Sequence, residues 1–297
     1  MPTKPQNQAA NPTEKWRLNN NGNTNRPPQT RQKQPAHRSQ TSPKTDPPSG
    51  SIFAPIWITS RRPHTTSVLL ATGVNVDGYR EILGMHVATS ESAASWTGFF
   101  RDLLARGLSG VFLVTSDAHL GIQAAISECL PQASWQRCRT HFAKNLSSMV
   151  PKAQWPTLSA MYQAIFKQED ADSVWMQARE VVEYCREKFP HVADYLEENL
   201  DDLLAFTAAP KAVWSKIWSN NPTERLNREI RRRTDVVGIF PNRSSVIRLV
   251  GSVLAEQHDD WIQQKRYMSL TSLAQTRAIV DAKVIDEQPG TSKEISA

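Results

Sequence analysis

Apolar positions are not spread evenly along the chain. Residues 1 to about 50 hold almost no aliphatic side chains and are rich in Pro, Asn and Gln. Such a segment buries too little apolar surface to offset chain entropy, so it reads as a disordered tail. Ile52, Phe53, Ile56, Trp57 and Ile58 then form a short apolar group interrupted by Pro55, which suits an edge strand. Ser67 to Val76 reads as a strand, Asp77-Gly78 as a hairpin turn and Arg80 to Val87 as the returning strand. Ser90 is the expected N-cap of the next helix, with Glu91 in its first turn. In that helix Trp96, Phe99, Phe100, Leu103 and Leu104 recur at i, i+3, i+4, i+7 and i+8, and Gly107 ends it. The unbroken run Val111 to Val114 reads as a strand covered on both faces, and it delivers Asp117 close to its C-terminal end. Ile122, Ala125, Ile126 and Cys129 follow as the stripe of an amphipathic helix. Asp117 is therefore either a cap for that helix or an exposed carboxylate at a strand end.

Trp135 to Cys138 reads as one more short strand. Beyond His141 the period becomes helical. Helices are expected over Trp155 to Lys167, Ala171 to Phe189 and around Tyr195 to Phe206, punctuated by Pro151, Pro190 and Pro210. Trp155, Trp175, Trp214 and Trp218 read as core residues of this stretch. A further helix opens at Asn221-Pro222, Pro222 suiting the first helical position. Glu224, Asn227, Arg228 and Arg231 share one face, while Leu226 and Ile230 lie opposite and would pack on a sheet. Two readings of this helix stand. Asn221 and Glu224 form an Asn-x-x-Glu capping box beneath a solvated charged face, or the carboxylate holds a cation while the arginines hold phosphates.

The fold class is α/β. Hairpin, helix and strand with a terminal Asp form the middle of a ribonuclease-H-like layer. The organisation that follows is a basic tail over 1–50, the first part of the core over 51–141, an all-α insertion over 142–215, the last part of the core over 216–270 and a C-terminal tail over 271–297.

Charge adds one point. Residues 1–50 hold eight Lys/Arg against two Asp/Glu, so the tail accounts for the whole net charge of +6. A basic arm of this kind is either an electrostatic grip on nucleic acid or an unselected leader. Cys129, Cys138 and Cys185 form no disulfide framework. No apolar run reaches membrane-spanning length, and the N-terminus lacks a signal-peptide core. The expectation is a soluble cytoplasmic protein, associated with the nucleoid when bound to DNA.

From about Ser67 to Met268 the chain resembles the Mutator-type transposases of bacterial insertion sequences. The resemblance rests on blocks in family order. They are Ala71-Thr72-Gly73-Val74-Asn75 with Asp77-Gly78; Glu91-Ser92 followed by Trp96; Arg106-Gly107-Leu108; Ser116-Asp117-Ala118-His119; Trp135-Gln136-Arg137-Cys138-Arg139-Thr140-His141-Phe142; Asn221-Pro222 with Glu224-Arg225-Leu226-Asn227; Arg232-Arg233-Thr234 running to Gly238-Ile239-Phe240-Pro241-Asn242; and Glu256-Gln257-His258-Asp259 with Trp261. The resemblance implies an Asp-Asp-Glu triad that binds two Mg²⁺ ions and catalyses DNA strand cleavage and strand transfer at insertion-sequence ends, as a homo-oligomer. Asp117 matches the second acid and Glu224 the third. Arg225, Arg228, Arg231, Arg232 and Arg233 are the expected DNA contacts. Cys138-x-x-His141 matches a family motif; it is half a zinc set and is expected to shape the site, contact DNA or serve structure.

Three departures stand out. The region where the family carries its first acid, Ser51 to Trp57, holds no carboxylate. The helical end-binding region that precedes the catalytic domain in the family has the basic tail in its place. Asn220 stands where the family prefers Thr, and Thr223 where it prefers a bulky apolar residue. The resemblance therefore points to a transposase impaired in Mg²⁺-dependent chemistry, or to a non-catalytic relic that at most binds DNA. A general ribonuclease-H-like nuclease is the remaining alternative. If the first strand is missing, the strand from Ser67 is left with an open edge, and Ile52 to Ile58 is the candidate to pair there.

Overall fold

The computed structural model describes residues 55–61 and 67–286. The basic tail read over 1–50 lies outside these residues, as do Ile52 and Phe53. Five strands form one sheet in the order β3-β2-β1-β4-β5. They are β1 (Pro55–Arg61), β2 (Ser67–Val74), β3 (Arg80–Ala88), β4 (Leu113–Ser116) and β5 (Ser134–Arg137). β1 runs antiparallel to β2 and parallel to β4, placing Trp57 opposite both Thr72 and Thr115. β2 and β3 form the expected hairpin, and β4 and β5 are parallel.

The expected edge strand is thus a central one. β1 begins at Pro55, so the missing N–H of proline falls at the strand's first residue, where a ladder tolerates it. From there it covers the side of β2 that would otherwise be open, with Trp57 to Arg61 pairing Thr72 to Val68. The strand after Gly110 starts at Leu113, two residues later than its apolar run suggests, and Asp117 follows directly on its last residue.

Both faces of the sheet are covered, which explains why all eight residues of β2 and all four of β4 are buried. Leu69 and Ala71 face one core, Val68 and Leu70 the other, as period two requires. On the first face lie helix α1 (Ala93–Ala105), with Trp96, Phe99, Phe100 and Leu103, and helix α2 (Leu120–Cys129), with Ile122 and Ile126. On the second, Leu226 and Ile230 of α9 (Asn221–Val237) pack on the sheet as the sequence suggests. Val246, Val250, Val253 and Leu254 of α10 (Arg243–Gln263) complete that layer.

Between β5 and α9 the chain is helical: α3 (Arg139–Met149), α4 (Trp155–Ile165), α5 (Ala171–Lys188), α6 (Pro190–Glu197), α7 (Leu200–Leu204), a 3₁₀ turn (Ala205–Ala208) and α8 (Lys211–Ile217). The helix expected around Tyr195–Phe206 is three short pieces. α3 begins three residues before the point where the helical stretch was expected, and so carries His141. The stretch read as a C-terminal tail from 271 contains α11 (Leu270–Asp286). The N-cap of α1 is Ser92, not Ser90: Ser92 Oγ accepts from Ser95 N at 3.2 Å, and Glu91 precedes the helix. Ser90 contributes its carbonyl, which accepts from Ser95 Oγ. Gly107 takes a positive φ of 99° and ends α1 as expected. Cys129, Cys138 and Cys185 are free thiols. No described helix is long and apolar enough to cross a membrane.

Leu226 is 1% exposed and pins α9 to the sheet. Leu226→Ala should lower unfolding free energy by about 2–5 kcal/mol in a denaturant titration. A loss below about 1 kcal/mol would mean that α9 is not docked as described.

Candidate functional site

The candidate chemistry gathers at the C-terminal ends of the parallel strands β4 and β5. Ser116 ends β4, and Asp117 leaves the sheet with its side chain 51% exposed. It does not cap α2: that helix starts at Leu120, with His119 in the cap position and no side chain capping its first turn. Arg137 ends β5, and Cys138 takes the N-cap position of α3. The Cys138 N–H donates to the Ser116 carbonyl at 2.8 Å, which locks the two strand ends together. His141 lies in the first turn of α3, and its Nδ1 meets Asp117 Oδ1 in an ion pair. Its Nε2 lies 3.9 Å from Glu224 Oε1.

Glu224 belongs to the first turn of α9, and several buried bonds bring that turn here. Thr115 Oγ1 donates to the Ile217 carbonyl at 2.7 Å, anchoring the end of α8 to the middle of β4. Arg139 N donates to the Trp218 carbonyl at 3.0 Å, and Asn220 N donates to Cys138 Sγ at 3.2 Å. Thr223 is fully buried, with its Oγ1 3.2 Å from Thr72 Oγ1 on β2. A bulky apolar residue at 223 would forfeit that bond. The Asn221–Glu224 capping box does not form. Asn221 is already helical, and the N–H groups of Thr223 and Glu224 both donate to the Asn220 carbonyl at 3.0 Å. Asn227, expected on the charged face, is 1% exposed.

The arginines divide into two groups. Arg232 and Arg233 both bind Glu229 at 2.8 Å, and Arg233 also reaches Glu256 at 2.6 Å. These contacts, Arg232 first, hold the Glu229 carboxyl down to about 2. Arg231 faces Asp235 at 3.4 Å. Arg225 and Arg228 are exposed and enter none of these pairs. Two further arginines, not singled out from the sequence, hold the site's frame. Arg139 stacks over Trp218 with 4.2 Å to the ring centroid, and Arg137 is buried against Asn199 and Tyr195. Their position flanking Cys138 was the available signal.

Asp117 and Glu224 approach one imidazole from opposite ring nitrogens. Mg²⁺ commonly takes one or two protein carboxylates and completes its shell with water and phosphate oxygens. Two carboxylates are donors of the kind Mg²⁺ takes, and here the His141 ring lies between them. β1, the described strand beside β4, runs Pro-Ile-Trp-Ile-Thr-Ser-Arg without a carboxylate.

Comparison with known proteins shows the family. The family model "Transposase, Mutator family" matches residues 58–264. The chain is 60% identical over 210 residues to the transposase for insertion sequence element IS1081 of Mycobacterium tuberculosis, covering 71% of this chain and 51% of that protein. It is 36% identical over 213 residues to the transposase for ISRM5 of Rhizobium meliloti, covering 72% and 54%. It is also 36% identical over 199 residues to the transposase for IS256 in transposon Tn4001 of Staphylococcus aureus, covering 66% and 51%. The chain thus spans about half the length of these curated relatives.

His141 should titrate far above a free imidazole. The Asp117 carboxylate first, then the Cys138 sulfur, raise its pKa to about 10 against the opposing effect of burial. A raised folded-state pKa gives stability that is fully present below about 6.5 and lost as pH rises through about 10. In EDTA, imidazole NMR should show His141 protonated throughout neutral pH, and Asp117→Asn should bring its midpoint down toward 6.5. A wild-type midpoint below 7 would contradict the pairing.

Proposed function

This chain belongs to the Mutator family of transposases, and from that premise we propose that its core acts on DNA at insertion-sequence ends with its strand-cleaving and strand-joining chemistry impaired. The observation that carries this reading is the juxtaposition at the strand ends. Asp117 and Glu224, far apart in sequence, meet around His141, while the adjoining central strand brings no third acid. The strand order β3-β2-β1-β4-β5 supports a ribonuclease-H-like core. The helices α3 to α8 are then an insertion between the segments that carry the two acids.

In this reading Asp117 and Glu224 hold one Mg²⁺, which when bound neutralises phosphate charge and favours ionisation of water. The residues of the chain do the rest. Thr223 and Leu226 fix the first turn of α9, so Glu224 is aimed before DNA arrives. Arg225 and Arg228 face solvent beside it and are the side chains suited to bind backbone phosphates. Arg232 and Arg233 are engaged by Glu229 and mainly stiffen the helix. Three acids distribute two cations over the attacking and leaving oxygens, and two acids do not. Loss of one ligand therefore leaves DNA binding intact and lowers the chemical rate. This favours, as a second reading, a relic that binds DNA without cutting it.

Incubated with Mg²⁺ and DNA carrying insertion-sequence ends, the purified chain should give little or no strand cleavage or joining. A robust signal abolished by Asp117→Ala or Glu224→Ala would contradict the impairment. Binding is separable. Arg225→Ala and Arg228→Ala should each weaken DNA affinity and reduce the salt slope by about 1, measured by fluorescence anisotropy over a salt series. Arg232→Ala should do less. Equal effects of all three would show that the Glu229 pairs do not withhold Arg232.

A further inference from the structure

The donor set at the strand ends contains more than the two carboxylates. One oxygen of Asp117, the sulfur of Cys138 and one ring nitrogen of His141 all lie within 4.8 Å of one another. We propose that these three side chains form a site for a thiophilic divalent cation of the zinc class. It is distinct in ligand set and chemistry from the Mg²⁺ position above but shares Asp117 with it. The binding claim does not depend on the transposase reading.

Sulfur and imidazole are poor partners for Mg²⁺ and good ones for zinc. Ligand atoms on a tetrahedron with bonds of about 2.0–2.3 Å sit roughly 3.3–3.8 Å apart, so a shift of about an ångström closes the present set. Asp117 can supply that shift, because it is exposed and lies outside both β4 and α2. Cys138 and His141 need not move far: the first is locked to Ser116 and the second rides on the first turn of α3.

The surroundings are built as the outer shell of a metal site is built. The Asn220 N–H points at the Cys138 sulfur at 3.2 Å. With Nδ1 turned toward Asp117, the other ring nitrogen faces the Glu224 carboxylate at 3.9 Å, and a carboxylate behind a ligating histidine fixes its tautomer and orientation. Three protein ligands leave the fourth position open to water or to an anionic ligand. Binding displaces protons from His141 and the thiol, so a cation here and the His141–Asp117 ion pair exclude one another. Because Asp117 is common to both sets, the thiophilic cation and Mg²⁺ compete.

The test is a Co²⁺ titration of the full chain, stripped with EDTA and kept reduced without thiols. The expected result is one saturable site with tetrahedral visible bands and a sulfur-to-cobalt charge-transfer band, displaced by Zn²⁺. Cys138→Ser should abolish the charge-transfer band, while Cys129→Ser and Cys185→Ser keep it. His141→Asn and Asp117→Asn should each weaken binding about 10-fold or more. Circular dichroism checks that each variant folds. If Cys138→Ser does not fold, a band that persists but needs about 10-fold more Co²⁺ in folded His141→Asn and Asp117→Asn carries the same conclusion. Absence of the band at saturating Co²⁺, its survival in a folded Cys138→Ser variant, or unchanged Co²⁺ affinity in folded His141→Asn and Asp117→Asn variants, overturns the proposal. Mn²⁺ binding that depends on Asp117 and Glu224 but not on Cys138 would persist if only this inference failed, and so separates it from the Mg²⁺ reading.

Discussion

The carbonyl of Ile217 is buried against the hydroxyl of Thr115, and the position of α9 follows from that bond. A helix ends with carbonyls that have no intrahelical partner, and a buried one left unmade costs about 1–3 kcal/mol. Here the partner is a threonine in the middle of β4, itself fully buried. The end of α8 is therefore tied to the strand that delivers Asp117. The short link Trp218-Ser219-Asn220 then runs past α3, giving its carbonyl to Arg139 and its Asn220 N–H to Cys138. When α9 starts, its first turn faces the strand ends, and Leu226 and Ile230 secure the rest of the helix on β2 and β3. The helices between β5 and α9 pack into the same core as the first face of the sheet, and Gln136 of β5 bonds Leu203 and Phe206 among them.

Those features that rest on local periodicity were legible in the sequence. Trp96, Phe99, Phe100 and Leu103 mark α1 and fill the core as their spacing requires, and the Asp77-Gly78 turn joins β2 to β3. Leu226 and Ile230 announced the buried face of α9. What was not legible depends on partners distant in the chain. Pairing of the stretch around Pro55 with β2 was legible, but nothing there says that β1 will also take β4 as a neighbour, because that place is set by pairing with Leu113 to Thr115. Asn227 looks like a member of the charged face until the close approach of the sheet buries it. The capping box at Asn221 failed by one residue, since the tether of Asn220 to Cys138 decides where the helix starts. The meeting of Cys138, His141 and Asp117 was half visible: the Cys-x-x-His spacing was plain, and its third member came from another strand end.

The chemistry of the site follows from which groups share it. A histidine between two carboxylates can serve as an internal counter-ion, and the Asp117 carboxylate beside its ring raises its pKa. Any cation that enters competes with that proton. The site brings together exposed arginines on α9, two acids flanking one imidazole, and a central strand without a carboxylate.

The central claim is that Asp117 and Glu224, carried by separate elements, form one cation site around His141. Paramagnetic NMR with Mn²⁺ tests it most directly. The account predicts signal broadening confined to the amides around Asp117, Cys138 to His141 and Asn220 to Glu224, reversed by excess Mg²⁺ and weakened in both Asp117→Asn and Glu224→Gln. Broadening centred elsewhere, for example in the groove lined by Asp172, Glu180 and Asp201, or an effect indifferent to Glu224→Gln, would contradict it.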